Sequence, residues 1–288
     1  MGCLAQRDGA SRAKNQQIFM RACQKAWSVA LCCIISGYLL KSSDMSEIQH
    51  KNGALVESMF KVGSHFAYTR SRRHPTAAPF IFGLKNRVEI FDLEKTSDKL
   101  LEAKKFVAAC GAAGKKVLFV GTKNEAREAV QRVASAINMP YVNLRWIGGT
   151  LTNFPQIRKR IDKYEDLMSK REKGELVKYT KKERLLIDKE IAKLENTFLG
   201  IVSLKEMPAA IVMVDTEKEH IALAEIKKQG IPVVGICGSD CNLKKVTYPI
   251  PANDSAKASV EFLLKELSSA YAEGVKSNTG AKTAEVTK

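Results

Sequence analysis

Residues His65 to Thr96 read HFAYTRSRRHPTAAPFIFGLKNRVEIFDLEKT, and Arg70, Arg72, Arg73, Lys85 and Arg87 all precede the first acid of the stretch, Glu89. Phe66, Tyr68, Phe80 and Phe82 are threaded among those cations. Lysine and arginine at this density can replace the counterions condensed on a polyphosphate backbone. Planar rings between them can pack on sugars or bases. A solvated basic loop beside an ordinary strand accounts for the cluster equally well when it is taken alone. The rest of the chain tips the balance. Its formal net charge is +16 over 288 residues, enough to attract polyanions over the whole surface. An anionic membrane would also attract it, but only the N-terminus offers a segment that could serve as an anchor.

Other chemistry finds little support. His50, His65, His74 and His220 are the four histidines, and none stands in metal-ligand spacing with cysteine or carboxylate. Cys237 and Cys241 form one Cys-x-x-x-Cys step with no second pair, which argues against zinc. No G-x-S-x-G turn marks a serine nucleophile. Glu217 and Glu219 are explained as favourable charges at a helix N-terminus, and His220 is expected on or near the surface of that helix. The segments that resemble phosphate loops are incomplete. GTKNEA after VLFV holds one glycine, and CGAAGKK places its lysines before a strand without P-loop spacing. Gly148-Gly149 is a weak candidate for close approach to a phosphate. No catalytic residue, metal or cofactor is expected.

Residues 1–44 differ from the rest. They carry Cys3, Cys23, Cys32 and Cys33, and a mostly apolar run from Ala26 to Leu40 preceded by Arg7, Arg12, Lys14, Arg21 and Lys25. That run is shorter than the roughly 20 residues needed to span a bilayer and has the size of a signal-peptide core. Met45 opens MSEIQHKNGALVESMF, a suitable start for a soluble protein. Residues 1–44 are therefore expected to be an upstream extension absent from the mature product, with a targeting segment as the alternative. No membrane association is expected from residue 45 onward. The 45% hydrophobic content supports a real core.

The elements that must position the cations alternate from residue 88. Val88 to Phe91 is a short strand. Thr96 or Ser97 caps a helix to about Cys110, ended by Gly111 and Gly114. Val117 to Val120 is a buried strand, and Thr122 with Glu125 forms a capping box for a helix to about Ile137. Downstream, Ala210 to Val214 is a strand, Thr216 with Glu219 a second capping box, and a helix follows to Gln229. Ile231 to Ile236 is another strand, and a last helix runs from Asp254 or Ser255 to Tyr271. This grammar predicts an α/β fold, a doubly wound parallel sheet covered on both faces. Residues 45–152 and 200–273 form that domain, and a disordered tail occupies 274–288.

An insertion, 153–199, interrupts the alternation. Asn153 and Pro155 open a helix to about Arg171, Gly174 breaks it, and Thr180 with Glu183 caps a second helix to about Phe198. The pair predicts an antiparallel helical hairpin. Its seam sets Ile157, Ile161, Tyr164, Leu167 and Met168 against Leu185, Leu186, Ile187, Ile191 and Leu194. Trp146 and Phe154 anchor the hairpin in the core, and Arg158, Lys159 and Arg160 at its cationic end face phosphate.

PFIFGLKNRVEIFDLEKT, VLFVGTK, NLRWIGGTLTNF, TKKE with LENTFLGI, and EHIALAEIKKQGIPVVGI occur in that order. Together they resemble the bacterial-type small-subunit ribosomal protein S2 family, over about residues 55–272. The resemblance implies a flavodoxin-like parallel sheet with a projecting helical hairpin and no enzymatic activity. It also implies binding to small-subunit ribosomal RNA in the cytoplasm, contacts with neighbouring ribosomal proteins, and help in recruiting the large OB-repeat protein S1. Carried over block by block, it adds Thr122, Lys123, Arg145, Thr152 and Asn153 to the arginines and lysines already named as RNA contacts. The chain departs from the family pattern in two places. His65-Phe66 is followed by Ala67-Tyr68 where the family reads HFGH. The loop after GIPVVGI is CGSDCNLKK, with Asp240 as its one acid and Lys244 and Lys245 added, so an ion site is not inherited there.

Overall fold

Runs of branched apolar residues too short for helices form the centre of the molecule. In the computed structural model, which describes residues 53–286, they are β4 (Val117–Val120), β6 (Ala210–Val214) and β7 (Val233–Cys237), buried along their whole length. β5 (Tyr141–Val142) and β8 (Tyr248–Pro251) complete a five-stranded parallel sheet in the order β5-β4-β6-β7-β8. Counted from β4, that is the 2-1-3-4-5 order of flavodoxin-like sheets. β8 carries two prolines, Pro249 and Pro251, and its sequence lacks a strand signature. As the last strand of the sheet it has one unpaired side, where a missing amide costs no ladder bond.

Side-chain alternation splits the core into two layers. Val117, Phe119, Val212, Val214 and Ile236 face one side. There they meet α2 (Leu93–Ala112), α3 (Asn124–Ala136) and α7 (Lys257–Val286). Leu118, Val120, Ile211 and Met213 face the other, against Ile157 and Ile161 of α4 (Phe154–Glu172) and Ala222, Leu223 and Ile226 of α6 (His220–Gln229). Each large aliphatic side chain so buried contributes about 1.5–3 kcal/mol. A further helix, α1 (residues 53–61), adds Met59 to the first layer. The described residues from Ala54 on lie within one unit. Among the described residues no helix is long and apolar enough to cross a membrane. The expected extension, residues 1–44, lies outside the described residues.

Helix ends differ from the sequence expectation where tertiary partners take over the capping groups. α2 starts one turn early because Asp92 accepts the Glu94 amide at 3.1 Å, while Thr96 donates to the Pro251 carbonyl at 2.7 Å. Neither Thr122 nor Thr216 forms a capping box. Thr122 turns to Glu219, and the amides of Glu217 and Lys218 go instead to Asp215 at 3.2 Å. The box at Thr180 and Glu183 is present. α7 continues to Val286, past Gly274, where the sequence suggested a tail. Gly274 and Gly111 do not end helices. A Cβ at either would collide with backbone across the α2–α7 contact, at Ala108 and Tyr271 respectively. These glycines let the two helices approach at backbone distance.

The strand expected at Val88 to Phe91 forms, but in a second, antiparallel sheet that the sequence reading missed. β1 (Phe66–Thr69), β2 (Ile81–Lys85) and β3 (Val88–Phe91) pair antiparallel in the order β1-β3-β2. Asn86 and Arg87 close the β2–β3 hairpin with φ of 51° and 65°. Positive φ at both positions matches the right-handed twist of a hairpin, but Arg87 pays the steric cost that a glycine avoids.

The inserted segment contains α4 and α5 (Lys181–Phe198). Gly174, at φ 71°, turns the chain between them. Lys163 of α4 meets Glu190 of α5 at 2.6 Å, and Arg158 near the start of α4 reaches the Val202 carbonyl beyond the end of α5 at 3.1 Å. The two helices therefore run side by side in opposite directions. Ile157, Ile161, Tyr164 and Ile191 are buried as expected. Leu185 and Leu186 are 52% and 56% exposed. They stand one and two positions from Ile187, and the helical period that turns Ile187 and Ile191 inward turns them out.

Candidate nucleic-acid interface

Strand register gathers part of the basic stretch. Thr69 pairs with Val88, and Val88 with Lys85. Arg70, Lys85 and Arg87 thus emerge together at one end of the three-stranded sheet. All three are exposed, and none has an ion-pair partner among the described residues. Arg72 lies beside them in sequence, with its guanidinium 4.6 Å above the Tyr68 ring and 3.9 Å from the Asp240 carboxylate. Phe82, in the register irregularity between Ile81 and Gly83 of the edge strand β2, is 80% exposed. His65 stacks on Phe60 at 4.5 Å between ring centres. Burial and the nearby Lys85 charge lower its pKa, which favours the neutral ring. Arg73 differs from its neighbours: it makes a 2.9 Å ion pair with the buried Glu89.

The C-terminal ends of β4 and β6, where the strand order reverses, are the place at which such sheets usually bind nucleotides. Here side chains fill that position. Lys123 follows β4 and points inward, its Nζ 2.9 Å from Asp254, 3.2 Å from Asp215 and 3.0 Å from the Tyr68 hydroxyl. Burial works against the Lys123 charge, but the Tyr68 hydrogen bond and the two carboxylates overcome it and raise its pKa. Asp254 is 1% exposed, and burial raises its pKa despite Lys123. Thr122 donates both its hydroxyl and its amide to Glu219. Thr122 and Lys123 thus tie β1, the sheet and α6 together from inside.

Asp240 sits at the rim of this cluster, where burial first and the Asp215 charge second raise its pKa. A carboxyl with a raised folded-state pKa favours folding fully only below its unfolded value of 3.8, and that contribution is lost as pH rises through the folded value. Asp240→Asn removes the like charge at every pH. Thermal melts should show a small rise in Tm at pH 7, shrinking as the pH is lowered toward 3.8. A constant difference across that window would mean that Asp240 is not under charge strain.

The loop from Arg145 to Asn153 wraps around one carboxylate. Glu225 of α6, 8% exposed, accepts the Gly149 amide at 2.7 Å, the Leu151 amide at 3.2 Å and the Trp146 indole at 3.4 Å. Trp146 is buried, and Phe154 packs half-buried against the second core layer. Arg145 is exposed beside a cavity of about 240 Å3 that Glu195 and Asn196 also line. Thr152 and Asn153 are exposed; Thr152 reaches Glu225 only at 3.5 Å, and the Asn153 side chain makes no cap. Arg158 is held by Asp162 at 2.9 Å and by the Val202 carbonyl. Lys159 and Arg160 are exposed and lack ion pairs among the described residues.

The structure therefore divides the expected contacts. Arg70, Arg72, Lys85, Arg87, Arg145, Lys159 and Arg160 present charge to solvent. Arg73, Thr122, Lys123 and Arg158 are engaged inside the protein. The sequence reading missed the groups that hold them: Glu89 for Arg73, Glu219 for Thr122, Asp215 and Asp254 for Lys123, and Asp162 for Arg158. A buried carboxylate and a solvated helix acid look alike in sequence, and only long-range pairing separates them.

Comparison with known proteins shows the family of the chain. The family described as Ribosomal protein S2 matches residues 59–274. A small ribosomal subunit protein uS2 of Coprothermobacter proteolyticus is 39% identical over 230 residues, covering 80% of this chain and 86% of that protein. The uS2 protein of Nocardia farcinica is 41% identical over 225 residues, 78% of this chain and 79% of its own length. That of Mesoplasma florum is 42% identical over 218 residues, 76% and 82%.

Proposed function

Because the chain belongs to the ribosomal protein S2 family, whose role in the ribosome is structural and non-enzymatic, we propose that it is a structural constituent of the small ribosomal subunit. It binds small-subunit ribosomal RNA, supports translation in the cytoplasm, and meets neighbouring small-subunit proteins, S1 among them. The observation that carries the RNA contact is the convergence of Arg70, Lys85 and Arg87 at one end of the three-stranded sheet, with no acid among the described residues paired to them. Arg72, Arg145, Lys159 and Arg160 extend the exposed set, with Thr152 and Asn153 beside Arg145 in chain order. Phosphate contacts of this kind orient a protein without reading sequence, so RNA shape supplies the selectivity.

The filled crevice at the sheet reversal supports a scaffold rather than a nucleotide enzyme. Lys123 and Thr122 are spent on internal carboxylates where a phosphate would otherwise sit.

Sedimentation tests the reading. In extract of the source cells resolved on a sucrose gradient, the chain should travel with small subunits and stay with them through a high-salt wash. Washed small subunits that lack it would refute the assignment.

A further inference from the structure

A groove runs along α6 on the side away from its buried acids. His220, Leu223, Ala224 and Lys227 fall at i, i+3, i+4 and i+7, one face of the helix. With Thr216, Glu217, Asn242 and Lys245 they line a cavity of about 210 Å3. Ordinary small-molecule sites hold about 300–1,000 Å3, so this one suits a single charged group rather than a whole nucleotide.

The rims of the groove are built. Asp215 accepts the amides of Glu217 and Lys218 at 3.2 Å on one side. On the other, the Asn242 side chain accepts the Lys244 amide at 3.1 Å and fixes the turn Leu243–Lys245. The cations are unspent. Neither Lys227 nor Lys245 has an ion-pair partner among the described residues, and the same holds for the exposed Lys218, Lys228 and Lys244, each next in the chain to a lining residue. The other two acids of this region are taken: Glu219 by Thr122, and Glu225 by the amides of Gly149 and Leu151. Glu217 is the one acid of the lining, against two lysines. His220 donates its Nδ1 proton to the Glu217 carbonyl at 3.3 Å.

We propose that this groove holds one phosphate of an RNA backbone between Lys227 and Lys245, a second contact separate from the three-stranded sheet. The proposal rests on the RNA-binding reading above. A backbone phosphate is favoured over free phosphate because Lys218, Lys228 and Lys244, each exposed and next in the chain to a lining residue, add charge that a single phosphate leaves unused and a polymer can engage.

The test measures binding of the full chain to transcribed small-subunit ribosomal RNA across salt concentrations. Wild type, K227Q/K245Q, K227R/K245R and R70Q/K85Q/R87G are compared, with titration of inorganic phosphate by calorimetry alongside. K227Q/K245Q should lower the slope of log affinity against log salt by about one, with a severalfold loss of affinity. K227R/K245R should keep the wild-type slope, since it keeps the charge. An unchanged slope in K227Q/K245Q, with a reduced slope in R70Q/K85Q/R87G, overturns this site and leaves the RNA reading intact. Saturable inorganic phosphate binding that K227Q/K245Q abolishes without touching the RNA slope overturns it in favour of a free anion. A wild-type chain that shows no salt-dependent RNA binding overturns both readings.

Discussion

Lys123→Met is expected to destabilise the protein by about 3 kcal/mol or more, because removing one partner of a buried ion cluster leaves the others uncompensated. Asp254 and Asp215, 1% and 9% exposed at their side chains, would face each other without a cation. For a domain of this size the loss corresponds to a fall in Tm of roughly 6–12 °C. Adding Asp254→Asn to the methionine variant should recover part of it, since one of the stranded charges disappears. Lys123 also hydrogen-bonds Tyr68 at 3.0 Å, so the variant should loosen β1 before the sheet core. At a temperature where the variant is folded, its RNA affinity and salt slope should match wild type. A methionine variant of wild-type Tm with a lower salt slope would make Lys123 a phosphate contact and would reverse the assignment made here from its burial.

R70Q/K85Q/R87G carries the second large effect. Three lost phosphate contacts at about 0.9 each should lower the salt slope by nearly three, which amounts to roughly 100-fold in affinity at about 0.15 M salt. The glycine is chosen for a structural reason. Arg87 sits at φ 65°, where glycine is relaxed, so the hairpin should hold or tighten while the charge is lost. A stable variant with an unchanged slope would remove this end of the sheet from the interface. Arg73→Ala separates the two kinds of cation. Its partner Glu89 is 2% exposed, so the substitution should lower Tm with little change in slope, the opposite pattern to its neighbours.

The contrast between Arg73 and Arg70 shows where sequence reading runs out. Both lie in one basic stretch, and local pattern cannot distinguish them. The antiparallel pairing of β1, β2 and β3 decides that one meets Glu89 and the other meets solvent. Of that sheet only Val88 to Phe91 was legible, and as part of the parallel alternation; β1 and β2, of four and five residues and irregular between Phe66 and Thr69 and between Ile81 and Gly83, carry too little alternation to stand out. The parallel core was legible. VLFV, AIVMV and VVGIC are buried whole and read as continuous apolar runs. The Gly174 break and the Thr180 cap were legible too, because capping chemistry is local. Thr122 and Thr216 looked the same in sequence, but a distant partner, Glu219, takes Thr122, while Asp215, one residue before Thr216, takes the amides that Thr216 was expected to cap.

Sequence by itself determined the charge of the chain, its alternating α/β grammar, the paired inserted helices and the family resemblance, all of which rest on neighbours within a few residues or on summed composition. Tertiary structure alone decided which cations are free. A lysine's fate depends on whether a carboxylate approaches within about 4 Å. For Lys123 those carboxylates lie at Asp215 and Asp254, on strands and loops that meet only when the sheet closes.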